Sequence, residues 1–324
     1  MTEFKLSLTG MHARNERTIQ ATQDWERGRV GSPALRAAFR DDTEALVGLQ
    51  REVGADYLSD GQISLGWEDF LGPFTRGFSG VRPGAMIRWY DTNTFYKTPV
   101  VDGEVSSSGR AIWRRVERRF VKGGTFRLAL PDPLTLSELA EDTHYRDPDK
   151  LLFAFADALN SELKTLEKNG VAYVQFSSPA LVARFRGNPL PADRLKTLGE
   201  AIRASTRGTA LRTGFHTFFG DASPYVPAIF DSIPTDEIGF DFTRTNPEDL
   251  APTGKGIIAG IADARNTYLE SSDELRAKVQ RVAEITGSRS ITLAPSCDLR
   301  YIPRVSADEK LRRLGALKTA LGGR

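Results

Sequence analysis

The chain alternates short apolar runs with longer amphipathic segments, and this alternation is the main indication of its fold. Apolar runs predict strands at 4–9, 55–59, 126–130, 171–176, 209–215, 237–242, 256–261 and 290–293. Helical periodicity predicts helices at 34–53, 109–121, 149–168, 192–205, 224–230, 272–285 and 307–321. Strands that alternate with helices form parallel sheets. Eight such strands in 324 residues predict an α/β protein with a single closed (β/α)8 barrel, a TIM barrel.

One segment, residues 66–108, does not follow this alternation. It is rich in Gly, Pro and aromatic residues, and it predicts a loop-rich insertion after the second strand. Such an insertion would form a rim or lid on the barrel mouth. Nothing in the composition marks a linker, so we expect residues 1–324 to form one barrel domain that carries this insertion.

Composition narrows the functional classes. Apolar residues make up 40% of the chain, which is enough for a large core, and the net charge is only +2. No Lys/Arg run is dense enough for a nucleic-acid arm, so we expect no nucleic-acid partner. The single cysteine cannot form an internal disulfide. With neither a signal peptide nor an apolar run of about 20 residues, the sequence predicts a cytoplasmic protein without a membrane partner.

Polar residues follow many of the predicted strands, where a TIM barrel places its reactive groups. We therefore predict a substrate pocket made of Asp60, Gln62, Ser177, Asp263 and Asn266. Three further residues supply one nitrogen, one oxygen and one sulfur, a donor set that suits catalytic zinc: His216, Asp241 and Cys297. Zinc there would hold a substrate thiol as its thiolate. The alternative is a hydrogen-bonded His–Asp pair beside an inert buried cysteine.

Cations and aromatic rings suggest a second kind of site. Arg14, Arg17 and Arg88 can hold an anionic ligand, because a guanidinium binds a carboxylate through two hydrogen bonds. Trp89 and Tyr90 can stack on a flat heterocycle or anchor the insertion to the barrel. The sequence contains neither the glycine-rich phosphate loops nor the Gly-x-Ser-x-Gly elbow, so kinase, dehydrogenase and serine-hydrolase functions have no support.

Six strings, in order along the chain, carry a family resemblance. They are LQREVGADYLSDGQISLGWEDFLG (49–72), WYDTNTFYKTP (89–99), LALPDPLTL (128–136), HTFFGDA (216–222), GIADARNTY (260–268) and APSCDLRYIP (294–303). Together they resemble the cobalamin-independent methionine synthase family, and most strongly its amino-terminal barrel, which helps to bind the methylfolate polyglutamate tail. The resemblance implies methyl transfer to homocysteine in methionine biosynthesis. The implied methyl donor is a folate-like methyl-pterin or a methyl-corrinoid.

The chain departs from the pattern of the family's catalytic barrel. That barrel binds zinc through His-x-Cys, a Glu and a second Cys. Here His216 and Cys297 match, but Phe218 stands at one cysteine position and Asp241 at the glutamate position. Ser177 replaces one member of a carboxylate pair that recognises the homocysteine amino group. These departures favour a free-standing, donor-binding barrel that works with a separate zinc-bearing catalytic barrel.

The resemblance also extends the donor-binding set, which becomes Arg14, Arg17, Arg88, Trp89, Asp91 and Asn93. Two alternative functions remain open. One is a self-sufficient zinc-dependent thiol methyltransferase that uses His216, Asp241 and Cys297. The other is a scaffold barrel without catalytic activity.

Overall fold

The computed structural model describes residues 2–65, 70–120 and 124–322. Its main sheet confirms the TIM barrel, with eight strands in the order β1-β11-β10-β9-β8-β7-β5-β2 and parallel pairing throughout. These strands are β1 (Glu3–Leu6), β2 (Tyr57–Leu58), β5 (Thr125–Pro131), β7 (Tyr173–Ser177), β8 (Arg212–Thr217), β9 (Glu237–Asp241), β10 (Gly256–Ala262) and β11 (Ser290–Pro295). Their nearly continuous burial accounts for the uninterrupted apolar runs of the sequence.

The ring of strands closes where β1 meets β2. A single parallel bridge joins Ser7 to Tyr57, and the Asp56 N–H donates to the Leu6 carbonyl at 3.0 Å. The Asp56 side chain adds a second link, because its Oδ2 accepts a 2.7 Å hydrogen bond from the Leu6 N–H. Lys318 Nζ lies 2.9 Å from the same carboxylate. Side chains therefore complete this junction, whereas backbone ladders form the others.

Helices cover the outside of the barrel. They are α1 (Glu16–Glu26), α2 (Ser32–Glu52), α3 (Gly72–Gly77), α4 (Pro133–Glu138), α5 (Pro148–Lys168), α6 (Pro179–Ala183), α7 (Ala192–Thr206), α8 (Ala228–Ser232), α9 (Ser272–Thr286) and α10 (Arg304–Ala320). Two of the longer helices, α5 and α9, begin at residues whose side chains cap the first turn. Asp147 caps α5, and Ser271 forms a capping box with Glu274 at the start of α9. Among the described residues, no helix is long and apolar enough to cross a membrane.

The segment 66–108 is not loop-rich, and this part of the prediction was wrong. Strands β3 (Phe78–Arg88) and β4 (Phe95–Ser107) form a long antiparallel hairpin, and β6 (Glu141–Asp142) pairs with β4. The pairing register shifts between Ser79 and Val81 and again between Pro83 and Met86. These irregularities, at Gly and Pro positions, interrupt the alternation that would identify strands. Residues 66–69 lie outside the described part.

Two further local predictions were wrong. The segment 109–121 was expected to form a helix but contains only the short 3-10 turns Trp113–Arg115 and Arg118–Phe120, and residue 121 is not described. The Glu162 carboxylate holds this path by accepting hydrogen bonds from the N–H groups of Ala111 and Ile112, each at 3.0 Å. Conversely, helix α1 was not predicted, because its largely polar sequence lacks an apolar face.

Candidate functional site

The carboxyl ends of the strands form the barrel mouth, and the tip of the hairpin, residues 89–94, folds onto it. The Tyr90 ring lies 5.7 Å from the Phe219 ring, just after β8. Asp91 pairs with Arg265, after β10, at 3.0 Å. Trp89 is buried, so its ring anchors the hairpin in this arrangement and is not open to a flat ligand.

His216 lies at the end of β8 and is fully buried. Neither ring nitrogen makes a hydrogen bond of good geometry to the described residues, although the Phe240 backbone lies close enough to favour the protonated ring slightly. Burial, aided by the nearby Arg127 guanidinium, lowers the pKa of His216 to about 3, so the imidazole is neutral. Gly239 and Gly260 leave room for the ring: a Cβ on Gly239 would lie 2.7 Å from His216 Cδ2, and one on Gly260 would lie 3.3 Å from Nε2.

The structure does not assemble His216, Asp241 and Cys297 into a metal-ligand set. Across the residues it describes, no three His, Cys, Asp or Glu side chains are spaced to hold one metal ion. Asp241 Oδ1 instead accepts hydrogen bonds from Thr243 N and Oγ1, at 2.9 and 2.6 Å. Burial, then the Asp241 and Asp298 carboxylates, raise the pKa of the Cys297 thiol well above its usual range. In this arrangement the three side chains do not fit a zinc ion.

The five residues of the predicted substrate pocket fall into three separate environments. Asp60 is buried and accepts hydrogen bonds from the N–H groups of Gln62 and Glu117, at 2.9 and 3.1 Å. Ser177 is buried in β7 and accepts from Gln175 Nε2 at 3.1 Å. Asp263 and Asn266 form a turn after β10, in which Asn266 Nδ2 donates to Asp263 Oδ2. No cavity described here joins all five.

Sequence reasoning missed Asp132, a buried carboxyl group at the end of β5. Its Oδ2 accepts a 2.9 Å hydrogen bond from Ser178 Oγ, and its Oδ1 accepts one of 2.9 Å from Thr135 N. Burial raises the pKa of Asp132 to about 6. The string LALPDPLTL contained this residue, but only as part of the family resemblance. A buried carboxyl group therefore stands beside Ser178, the neighbour of the predicted pocket residue Ser177.

A groove of about 740 Å³ opens beside the carboxyl ends of β1 and β11. Arg14 and Arg17 line it, as predicted for the donor-binding set, together with Arg300 and Arg304. The hairpin tip reaches the groove through Thr94. The other predicted donor-binding residues lie in or next to the tip and do not line the groove: Arg88 donates to the Thr92 carbonyl and to Asn93 Oδ1, and Asp91 pairs with Arg265 on the barrel.

The arginines of this groove differ in how they are paired. Arg304 is neutralised by Asp42 and Asp308. In contrast, no carboxylate of the described residues lies within ion-pair distance of Arg14 or Arg300, and Arg14 Nη1 donates only to Thr22 Oγ1 at 3.1 Å. Burial and the proximity of Arg300 lower the pKa of Arg14. Two neighbouring guanidinium groups that make no direct ion pair with a described carboxylate form a candidate site for an anion.

Arg300 and Arg304 were not predicted, because they do not directly follow the last strand but lie in and after the 3-10 turn Leu299–Tyr301. The sequence did contain a signal for them: both arginines follow β11, the strand next to β1, where Arg14 and Arg17 lie. His12 also lines the groove. Burial and Arg304 lower the pKa of His12 to about 3, so it adds no charge.

Comparisons with known proteins agree with the resemblance in the sequence. Residues 67–287 match the family model of the cobalamin-independent synthase, N-terminal domain. The chain belongs to this family. A methionine synthase from Pyrococcus furiosus is 24% identical over 296 residues, covering 88% of this chain and 83% of the relative. One from Saccharolobus solfataricus is 25% identical over 293 residues, covering 88% and 84%.

Solved structures show the same fold. A B12-independent methionine synthase from Shewanella sp. W3-18-1, in complex with selenomethionine, aligns with a TM-score of 0.70 and 19% identity, over 91% of this chain and 90% of that one. A Listeria monocytogenes protein aligns with a TM-score of 0.77 and 17% identity, over 100% and 99%. At these identities the comparisons establish the barrel fold and leave the role of each residue to the site itself.

Proposed function

We propose that this chain acts in methyl transfer to homocysteine, in methionine biosynthesis, as the component that binds the methyl donor. It works with a separate catalytic barrel that supplies zinc and binds homocysteine. The observation that carries this proposal is the arginine-lined groove, in which Arg14 and Arg300 form no direct ion pair with a described carboxylate. Membership of the N-terminal-domain family supports the same role.

The groove suits a donor with an acidic tail, such as a methyl-pterin of the folate type. Its volume of about 740 Å³ can take several tail units, and Arg17, which is mostly exposed, extends the positive surface outward. Ile19, Ile302 and Val305 provide apolar contacts for the stems of such a tail. Holding the donor beside the mouth would place its methyl group near the partner's thiolate, which lowers the entropic cost of transfer.

The test is a titration with methyltetrahydrofolate that carries either one or three glutamates, followed by calorimetry. We expect tighter binding of the triglutamate and weaker binding at high salt. Arg14→Gln should weaken triglutamate binding about 10- to 30-fold, the loss expected for a charge-assisted hydrogen bond. Arg40→Gln is the matched control, because Arg40 is an exposed arginine that does not line the groove. Equal binding by the two variants, or no effect of tail length, would refute the assignment.

The partner is tested separately by mixing the chain with a zinc-bearing methionine-synthase barrel from the same cell. We expect the mixture to form methionine faster than either chain alone. A second candidate, the self-sufficient zinc-dependent thiol methyltransferase, has the neutral imidazole of His216 in its favour, but it requires His216, Asp241 and Cys297 to adopt a different arrangement before they can bind zinc. It predicts stoichiometric zinc that is lost in Cys297→Ser. Metal-free protein that forms methionine without a partner would rule it out.

A further inference from the structure

Buried polar groups that lack hydrogen-bond partners lie where the hairpin tip (residues 89–94) contacts the barrel mouth. Tyr90 OH and Arg265 Nη1 are both buried, and neither has a hydrogen-bond partner among the described residues. Tyr90 also adopts a left-handed backbone conformation, with φ of 48°. Buried polar groups normally find partners, and such strain persists where function requires it.

Arg265 is the centre of this contact. Its guanidinium lies 5.2 Å from the centre of the Phe219 ring, and its side chain is only 19% exposed. Nη2 lies 3.0 Å from Asp91 Oδ2 and donates to the Asp91 carbonyl at 3.4 Å. Nη1, which makes no hydrogen bond, remains as a spare buried donor. A carboxylate normally binds a guanidinium through two parallel hydrogen bonds, but the Asp91 carboxylate engages only one terminal nitrogen of Arg265.

We propose that Arg265 is a carboxylate-binding residue of the barrel mouth, and that Asp91 occupies it while the hairpin tip covers the mouth. A ligand carboxylate exchanges with Asp91, engages both terminal nitrogens of Arg265 and releases the tip. The site is separate from the arginine-lined groove, because Arg265 follows β10 and does not line that groove. The proposal therefore does not depend on the proposed function.

The chain contains its own reporter for this exchange. Cys297 is its only cysteine and is fully buried at the mouth. Arg265 lies close enough to oppose the rise in the pKa of the Cys297 thiol. Two alkylating reagents of similar size distinguish the two parts of the proposal. Iodoacetamide is neutral, so its rate reports only how far Cys297 is exposed when the tip is released. Iodoacetate carries a carboxylate, so its rate also reports binding to Arg265.

The experiment measures the rates at which both reagents label Cys297 in the full chain. Asp91→Asn and Arg265→Gln both break the ion pair, so each should speed labelling by iodoacetamide about threefold, the size expected for a half-exposed pair. Only Asp91→Asn frees Arg265. In that variant we expect iodoacetate to gain about tenfold relative to iodoacetamide, with a rate that saturates as iodoacetate increases. In Arg265→Gln the gain should be absent.

The matched control is Asp102→Asn, which breaks the 2.6 Å pair between Asp102 and Arg82 elsewhere on the same hairpin. It should label like the unmodified chain. Equal labelling of Asp91→Asn and Asp102→Asn would overturn the covering role of the tip. Faster labelling without a saturable preference for iodoacetate would overturn carboxylate binding by Arg265. Hydrogen exchange of residues 86–97 checks the uncovering independently, because it should rise in Asp91→Asn and Arg265→Gln but not in Asp102→Asn.

Discussion

Glu162→Gln tests how the hairpin is fastened to the barrel. Glu162 lies in α5 and is completely buried. One oxygen accepts hydrogen bonds from Ser107 Oγ, at the end of the hairpin, and from Ala111 N, while the other accepts from Ile112 N. A single carboxylate thus accepts hydrogen bonds from three donors that are not paired within a regular strand or helix. Glutamine keeps the shape but replaces one accepting oxygen by an NH2 group.

The expected loss follows from these contacts. The new NH2 group faces the Ile112 N–H, so one charge-assisted hydrogen bond disappears and two donors oppose each other in a buried place. The bonds from Ser107 and Ala111 survive, but to a neutral acceptor. Hydrogen bonds to charged groups contribute 1.5–3 kcal/mol and neutral ones 0.5–1.5, so the free energy of unfolding should fall by about 4 kcal/mol. That is a large share of a typical domain's stability.

The assay is urea unfolding followed by circular dichroism, with the free energy of unfolding taken from the linear extrapolation. Glu200→Gln serves as the matched control, because Glu200 lies exposed on α7 without a hydrogen-bond partner in the described structure. It should change the free energy by less than about 0.5 kcal/mol. If the free energy of unfolding of Glu162→Gln lay within about 1 kcal/mol of this control, the idea that the carboxylate fastens the hairpin would be wrong.

Three further predictions concern single positions. Burial raises the pKa of Asp132 to about 6, above its ordinary value of 3.8, so its contribution to stability should disappear as pH rises from about 4 to about 6. Asp132→Asn should flatten the pH dependence of thermal unfolding, whereas an unchanged slope would contradict the assignment. Gly239→Ala would push a Cβ against the His216 ring and should cost about 1–3 kcal/mol in denaturant unfolding. Arg281→Gln breaks exposed pairs with Glu248 and Glu284 and should leave the midpoint of denaturant unfolding almost unchanged; a clear fall in that midpoint would contradict this.

The barrel could be predicted from the sequence because buried parallel strands leave uninterrupted apolar runs. The run 256–261 is typical, and the structure places β10 at Gly256–Ala262. The hairpin could not be predicted in the same way. Pro83 and the neighbouring glycines sit at register shifts, and the distal half of β3 is mostly exposed, so no buried face repeats every second residue.

Some residues of the candidate site could be predicted from the sequence, and others could not. Arg14 and Arg17 were found because they follow the first strand, and both line the groove. Arg265 was missed although it stands between Asp263 and Asn266, because nothing local indicates that a residue 174 positions earlier, Asp91, will meet it. Contacts of this kind depend on how a hairpin folds back over a barrel, which local periodicity does not encode.

The bonding between neighbouring strands is not the same all the way around the barrel, because the junction between β1 and β2 differs from the others. Elsewhere, neighbouring strands are joined by backbone ladders whose strength changes little with salt or pH. At this junction the Asp56 carboxylate joins the Leu6 N–H to the Lys318 ammonium. Gln50 makes a pair of hydrogen bonds to the backbone of Ser59, and these fix the end of β2 to helix α2. A single backbone bridge and a charged side-chain link thus close the barrel at this junction, so its circular continuity depends more on ionic strength here than along the backbone ladders.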